Sequence, residues 1–333
     1  MINTVQCQDV LRRAALQATL APSLYNTQPW RMLLSGNRMQ LLADDSRQLA
    51  VHDPSGRQLI MSCGCALFNA RAALAAEGFS HRVLRLPGGG RDAALAAIHP
   101  AARPDRERGD RDPADQDVAD QDPSETAELS RLAAVLGDRH TNRQPFLSGA
   151  LPRRVVHRLS AAAAREGSAV ATLDTAARRR ITLALHQDAG SIMRTDPAYR
   201  AEHRAWAATA GLIRPSEHDP CDPAMAAPSL MLLVSPQDTP ADWLRTGEAL
   251  ERVLLELTAE GYVASLSSQV THVTSTRMRL RRVLALDGYP QVLLQVGQAP
   301  PSPPTRRRQL VDVIVELEAS ADVRRSIGVG CPA

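Results

Sequence analysis

A polar interruption about a third of the way along the sequence most constrains how the chain can fold. From His99 to Glu125, aspartate, arginine, proline and glutamine alternate with almost no apolar residues, and acidic residues outnumber basic ones. Such a segment cannot bury enough apolar surface to fold alone. We therefore predict an acidic, proline-rich linker at 99–125 that joins a first half, 1–98, to a second half, 126–333.

Hydrophobic periodicity on both sides of this linker predicts helices and strands in mixed order. Helices are predicted at 6–20, 56–77, 127–136, 152–166, 176–193, 242–260 and 277–286, and strands at 30–34, 39–43, 80–86, 169–173, 230–234 and 291–296. Residues 196–228 are irregular and contain Tyr199, Trp206 and several prolines. Long irregular connections are often functional, so this excursion is predicted to be lid-like.

Composition excludes several classes of function. All 39 basic residues are arginine, the net charge is +3 and the basic residues are scattered, so no nucleic-acid partner is expected. We find no signal-peptide pattern and no run that reads as a bilayer span, so we expect a cytoplasmic protein without a membrane partner. Cys63 and Cys65 are too close for the usual zinc or redox spacing, and we interpret the five cysteines as reduced thiols. Any role of that pair stays open.

The polar stretch from Ala21 to Trp30 lies between a predicted helix and a predicted strand. Two prolines and a serine interrupt the helix, because proline lacks an N–H group and restricts the residue before it. Hydrogen-bonding side chains then crowd together at Ser23, Asn26, Thr27 and Gln28. Amide donors and acceptors suit a heteroaromatic edge such as a flavin pyrimidine, whereas composition alone also allows an ordinary connecting loop.

Three further segments have the composition of ligand-binding loops. Arg139, Thr141, Asn142 and Arg143 combine guanidinium groups with neutral donors, which suits a phosphate. Small hydroxylic residues at 262–269 would let backbone approach a planar ligand, although an ordinary helix-to-strand loop is equally consistent with them. The run at 306–308 is either a solvated surface or a second phosphate clamp.

The motif Ala-Pro-Ser-x-x-Asn-Thr-Gln-Pro-Trp at 21–30 resembles the flavin-contacting signature of the nitroreductase family. The arginine-threonine-asparagine-arginine loop and the Gly-Gln-Ala-Pro-Pro segment with its arginines are similar to the Acg-like subgroup of that family, over most of the chain. The resemblance implies an α+β, nitroreductase-like fold. Two tandem halves, each an antiparallel sheet flanked by helices, would form an intramolecular pseudo-dimer with one FMN between them.

The resemblance also implies roles for individual residues. Residues expected near the isoalloxazine are Pro22, Ser23, Asn26 and Gln28 from the first half, and Ser265, Ser267 and Ser268 from the second. Residues expected at the FMN phosphate are Arg139, Thr141 and Arg143, with Asn142 adjacent, and Arg307 and Arg308. Gln309 departs from the usual pattern, which has proline there. No side chain is expected to act as a nucleophile, and no metal site is predicted.

Two functions follow from the resemblance. The first is an FMN-dependent oxidoreductase that takes hydride from NAD(P)H and reduces nitroaromatics or quinones. The alternative is an FMN-sequestering protein whose flavin is covered by the lid-like excursion at 196–228, with little reductase activity. Fused halves remove the usual reason for dimerisation, so we expect a monomer, with a homodimer as the alternative.

Overall fold

The computed structural model describes residues 4–89, 93–101, 123–209, 228–267 and 269–317. Helices in these residues are α1 (Thr4–Ala18), α2 (Arg57–Ala76), α3 (Pro123–Ala133), α4 (Arg153–Arg165), α5 (Ala176–Thr195), α6 (Pro197–Thr209), α7 (Pro240–Ala259), α8 (Gln269–His272), α9 (Thr274–Val283) and α10 (Leu310–Val313). Strands are β1 (Trp30–Ser35), β2 (Arg38–Ala43), β3 (Ser80–Arg85), β4 (Ala96–Ala101), β5 (Ala169–Thr172), β6 (Ser229–Ser235), β7 (Val263–Ser267), β8 (Tyr289–Gly297) and β9 (Ile314–Leu317).

The described strands form two sheets. One has the order β3-β4-β2-β1-β9 and the other the order β5-β6-β8-β7. Neighbouring strands are antiparallel, as predicted, with the exception of the parallel pair between β1 and β9. Because β9 comes from the last described segment, the chain returns from the second sheet to complete the first.

The two long helices α2 and α7 cross with their backbones almost in contact. A Cβ atom placed on Gly64 would lie 2.8 Å from the Cα atom of Gly247 and against the carbonyl of Leu244. A Cβ atom placed on Gly247 would in turn meet the carbonyl of Met61. The contact is therefore reciprocal, and glycine is required on both helices for this approach.

One hydrophobic cluster spans both halves of the chain. It includes Trp30 and Leu67 from the first half, and Leu244, Val253 and Leu294 from the second. The sequence-based expectation was that no segment could span a bilayer, but the helix α2 is long and apolar enough to cross a membrane. Of its most apolar 18-residue stretch, 94% is buried inside the fold. This is the position of a core helix, whose apolar surface is covered by protein.

Several elements differ from the sequence-based expectation, among them β4, α3, α6 and β7. β4 includes His99–Ala101 and α3 begins at Pro123, so both described ends of the predicted linker have regular structure, and 102–122 lie outside the described residues. α6 forms the first part of the excursion that was predicted to be irregular. Residues 263–267 form β7, because pairing with β8 outweighs the weak strand propensity of its small residues.

We expect Gly64→Ala to lower the free energy of unfolding by about 1–3 kcal/mol, because the added methyl group forces the two helices apart. Chemical denaturation should show a lower midpoint at an unchanged slope. Gly137→Ala is the matched control, since a Cβ atom there meets nothing within 4 Å. Equal midpoints for the two variants would contradict the close crossing.

Candidate functional site

The loop between α1 and β1 has an unusual backbone. Tyr25, Asn26 and Gln28 have φ angles of 48°, 54° and 49°. Residues other than glycine rarely adopt this left-handed region of backbone conformation, and each such residue costs on the order of 1–3 kcal/mol. Ser23 helps to hold the loop, because its Oγ accepts a hydrogen bond of 2.9 Å from the backbone N–H of Gln28. Pro22 is buried beside it. A strained loop that the surroundings hold in place is typical of a functional site.

The amides of this loop bind the arginine segment at 306–308. Asn26 Nδ2 donates to the carbonyl oxygen of Arg306 at 2.9 Å, and the backbone N–H of Arg308 donates to Gln28 Oε1 at 2.9 Å. Gln28 is only 4% exposed. These side chains therefore fasten the far end of the chain to the loop. Their predicted contact with a flavin edge stays a prediction.

Arg139 and Arg307 converge on one carbonyl of the first half. Their Nη2 atoms donate to the Leu20 oxygen at 2.9 and 2.8 Å. Arg139 Nε lies 3.2 Å from a carboxylate oxygen of Glu251, but not in hydrogen-bonding alignment. Arg139 Nε and Nη1 and Arg307 Nε are buried without a hydrogen-bond partner. Unused buried guanidinium donors in one place suit an anion with several acceptor oxygens.

Electrostatics point the same way. Burial and, after it, the neighbouring charge of Arg139 lower the pKa of Arg307 to about 10, while Glu251 partly opposes both effects. Burial, followed by Arg139 and Arg307, also lowers the pKa of His140. A guanidinium with a pKa near 10 is still protonated at neutral pH, so Arg307 keeps its charge. An incoming anion would relieve the repulsion between Arg139 and Arg307.

The remaining residues of the arginine-threonine-asparagine-arginine loop lie beside β7. Asn142 N–H donates to the Ala264 oxygen at 2.8 Å, and Thr141 forms a bridge with Ala264. Arg143 donates from its backbone to Ser302 Oγ at 3.2 Å. Its side chain is exposed and has no hydrogen bond or ion pair within the described part of the chain. The guanidinium of Arg143 is thus available to a ligand.

The other residues predicted for the FMN site do not all lie together. Ser265 and Ser267 lie on β7 next to this loop, and Ser267 Oγ is 3.4 Å from His186 Nε2. Ser268 lies outside the described residues. Arg308 is not grouped with Arg139: it forms an ion pair of 3.0 Å with Asp44 and donates to the Gln28 oxygen. The structure therefore brings Arg307, but not the side chain of Arg308, to the arginine cluster.

An open groove of about 620 Å³ runs beside Asn26, Gln28 and the segment 306–308. Arg31 and Arg47 also line it, and its carboxylates are Asp44 and Asp312. No carboxylate in the described residues forms an ion pair with Arg31 or with Arg306. The groove is thus positively charged and would attract anionic ligands toward the loop.

The helix α6 docks on the first half through Glu202. Its carboxylate accepts hydrogen bonds from the backbone N–H groups of Val51 and His52, at 3.0 and 2.8 Å, and lies 2.7 Å from His52 Nδ1. The ring of Tyr25 packs edge-on against His52, with centroids 5.1 Å apart. Trp206, also on α6, stacks with the guanidinium of Arg47. The ring of His203 on α6 also packs against Tyr25. α6 therefore contacts the motif at 21–30, called the signature loop below, and the segment that contains Arg47 and His52.

Sequence reasoning missed Leu20, Glu202 and Glu251. Leu20 acts through a backbone carbonyl, and no residue type encodes that. For Glu251 a signal exists in the sequence. This residue lies three residues before Leu254, on the side of the predicted helix 242–260 that carries Leu250, Leu254 and Leu257. A charged residue on a buried face calls for a partner, and here the partner is Arg139.

No family model matches the chain. It is 31% identical to a Mycobacterium tuberculosis H37Rv protein provisionally named NAD(P)H nitroreductase Rv3131, over 92% of this chain and 91% of that protein. It is 28% identical to a protein from the same strain that is provisionally named NAD(P)H nitroreductase acg, over 94% of this chain and 97% of that protein.

Solved structures are similar at lower identity. The FMN-dependent nitroreductase NfnB from Mycobacterium smegmatis, in complex with NADPH, is 18% identical and aligns with a TM-score of 0.41 over 55% of this chain and 97% of its own. A nitroreductase with bound FMN from Bacteroides fragilis is 12% identical, with a TM-score of 0.39 over 57% of this chain and 96% of its own.

Similarity over nearly the whole length defines the class: the chain belongs to the nitroreductase family. Its similarity to acg confirms the resemblance to the Acg-like subgroup. The α+β, nitroreductase-like fold predicted from the sequence is confirmed as well.

We expect Glu202→Ala to release α6 from the first half. The variant loses hydrogen bonds to a charged acceptor, each worth about 1.5–3 kcal/mol. Hydrogen exchange should accelerate at the amides of Val51 and His52 and along α6. Arg204→Ala, an exposed change on the same helix, is the control and should leave exchange unchanged. Unchanged protection in Glu202→Ala would contradict the docking role.

The docking should also depend on pH. Burial tends to raise the pKa of Glu202, but hydrogen bonds from Val51 and His52 outweigh it and lower that pKa. A carboxyl group with a lowered folded-state pKa contributes stability above its unfolded value, about 4.3, and loses it as pH falls through the folded value. Protection of α6 should therefore persist at neutral pH and fall below about pH 4.

Proposed function

We propose that this protein binds FMN and uses NAD(P)H to reduce nitroaromatics or quinones. The observation that carries the proposal is the convergence of Arg139 and Arg307 on the Leu20 carbonyl with buried, unused N–H groups. Membership of the nitroreductase family supports the same reading, as do relatives whose names specify NAD(P)H nitroreductases.

The residues present fit the phosphate of FMN. Arg139 and Arg307 offer unused buried donors, and Thr141 and Arg143 lie in the same loop as Arg139. We propose that these four residues hold the phosphate, with Asn142 fixing the loop through the Ala264 carbonyl. Charge-assisted hydrogen bonds of this kind are short and strong.

The proposed contacts with the isoalloxazine come from two loops: Pro22, Ser23, Asn26 and Gln28 on one side, and Ser265, Ser267 and Ser268 on the other. FMN, when bound, supplies the hydride-accepting and electron-donating chemistry. The chain orients the ring, excludes water from one face and offers hydrogen bonds at its polar edge. For Asn26 and Gln28, the bonds to 306–308 support an additional role, which is to hold Arg307 in place. We propose that Arg308 acts likewise, through Asp44.

The groove lined by Arg31, Arg47 and Arg306 supports a nicotinamide dinucleotide as electron donor, because its positive charge suits a pyrophosphate. We further propose two fused halves, 1–98 and 126–333, that act as a monomer with the linker 99–125 between them. Cys7, Cys63 and Cys65 are buried and form no disulfide among the described residues, which supports a cytoplasmic location.

The alternative is an FMN-sequestering protein with a covered flavin. Docking of α6 against Tyr25 is the observation that bears on it, because the lid-like excursion 196–228 starts with that helix. Its residues 210–227 lie outside the described residues. The names of the full-length relatives favour the reductase.

Absorption spectroscopy separates these functions. We expect the purified protein to carry, or to take up, FMN with a visible flavin spectrum that bleaches on anaerobic addition of NAD(P)H. A spectrum that only dithionite bleaches would favour the sequestering protein. A colourless protein that cannot be reconstituted with FMN would contradict both.

Arginine substitutions test the phosphate assignment. Arg307→Ala should weaken FMN binding by about 1.5–3 kcal/mol, because it removes a charge-assisted contact. Arg306→Ala is the matched control. The guanidinium of Arg306 is exposed, and only the backbone carbonyl of this residue binds the signature loop. Fluorescence titration with FMN measures both. Equal affinities in the two variants would contradict the role of Arg307.

A further inference from the structure

Glu251 lies behind the two arginines and is fully buried on α7. Its Oε1 is 3.2 Å from Arg139 Nε, yet neither carboxylate oxygen accepts a well-aligned hydrogen bond. From α2, the amide of Asn69 and the thiol of Cys65 also face this carboxyl group. Arg307, from the C-terminal segment, is the second cation whose field reaches it.

A neighbouring glutamate on the same helix shows what a fully paired carboxylate needs. Glu248 is equally buried but receives hydrogen bonds of 2.7 Å from both Arg71 and Arg85. Burial raises the pKa of Glu248, but these two arginines reverse the effect and lower it. Glu251 has Arg139 and the Asn69 amide beside it, neither in good hydrogen-bonding alignment, and burial, opposed first by Arg139 and then by Asn69, raises its pKa to about 7. Glu251 is thus poised to change charge near neutral pH.

Charge balance decides what happens when a phosphate arrives. Without an anion, the buried and half-buried groups Arg139, Arg307 and ionised Glu251 together have a single net positive charge, and the Arg143 guanidinium is not counted because it is exposed to solvent. A phosphate dianion would turn this into a net negative charge in a buried site, which is unfavourable. Phosphate oxygens would also accept hydrogen bonds from the guanidinium of Arg139, which lies beside Glu251 when no anion is bound. Both effects favour the protonated form of Glu251.

We propose that Glu251 is the internal counter-ion of the phosphate site: it holds Arg139 while the site is empty, and takes up a proton from solvent when the phosphate binds. The proposal rests on the proposed binding of FMN. Glu251 is thereby a positioning residue, because it acts through Arg139 rather than on the ligand. FMN binding becomes coupled to proton uptake and weakens as pH rises above neutrality.

Isothermal titration calorimetry of the wild-type protein with FMN at pH 8, in two buffers of different ionisation enthalpy, measures this uptake. We expect net uptake of a proton by the protein, because a phosphate beside two guanidinium groups stays a dianion. Affinity should weaken between pH 7 and pH 8.5, by up to about tenfold per pH unit for one proton. Riboflavin, which lacks the phosphate, should show neither effect.

Glu251→Gln provides the matched variant, since it keeps shape and polarity but cannot ionise. We expect its FMN affinity to become independent of pH and to be tighter than that of the wild type at pH 8. A merely structural glutamate would instead give weaker binding with the pH dependence retained. His140→Gln controls for the imidazole beside Arg139 and should retain the uptake.

The outcomes separate the two proposals. FMN binding without proton uptake and with a flat pH profile in the wild type would overturn the role of Glu251 and leave the proposed function standing. No binding of FMN at any pH would overturn the proposed function itself. Even if Glu251→Gln does not fold, the comparison of FMN with riboflavin in the wild type and in His140→Gln can still overturn the role of Glu251.

Discussion

The close crossing of α2 and α7 is the contact on which the rest of the structure depends. Gly64 and Gly247 let the backbones approach to a distance that any Cβ atom would prevent. Side chains one turn away then have no route to solvent. Glu251 follows Gly247 by four residues and so shares its helix face, and Cys65 donates to the Gly247 oxygen at 3.2 Å. The buried position of Glu251 is thus a geometric consequence of the glycine contact.

Buried charge around this crossing is arranged in two ways. On one side, Arg71 binds Glu248 and Glu166 at 2.7 and 2.8 Å, and Arg252 binds Glu166 at 3.0 Å. Every carboxylate oxygen of Glu166 and Glu248 is therefore paired, and among the buried atoms of these described residues only the Nε atoms of Arg71 and Arg252 lack a partner. On the other side, Arg139 and Glu251 are left with unused hydrogen-bonding capacity. Breaking a buried network whose carboxylates are all paired is strongly destabilising, whereas a buried ion pair in which both partners lack aligned hydrogen bonds leaves donors for a ligand. The second arrangement therefore marks the binding site.

Local patterns in the sequence predicted much of the fold. The hairpin of β1 and β2 follows from Gly36 and the apolar runs on either side, and the long helices follow from their periodicity. β9 could not be predicted, because four residues at Ile314–Leu317 become a strand only through pairing with β1. Within the site, the family resemblance named Arg139, Arg143, Arg307 and Arg308 together as residues expected at the phosphate. It could not distinguish Arg307 from Arg308, since that depends on which guanidinium meets Asp44.

The C-terminal segment explains why the signature loop is strained. Left-handed backbone at Asn26 and Gln28 aims their amides at Arg306 and Arg308, and the resulting hydrogen bonds compensate for the conformational cost. Beyond this point the chain enters β9 and is fixed to the first sheet. The segment that carries Arg307 to the Leu20 carbonyl is thus held on one side by the signature loop and on the other by β9. The motif that identifies the family therefore also helps to position the arginine cluster.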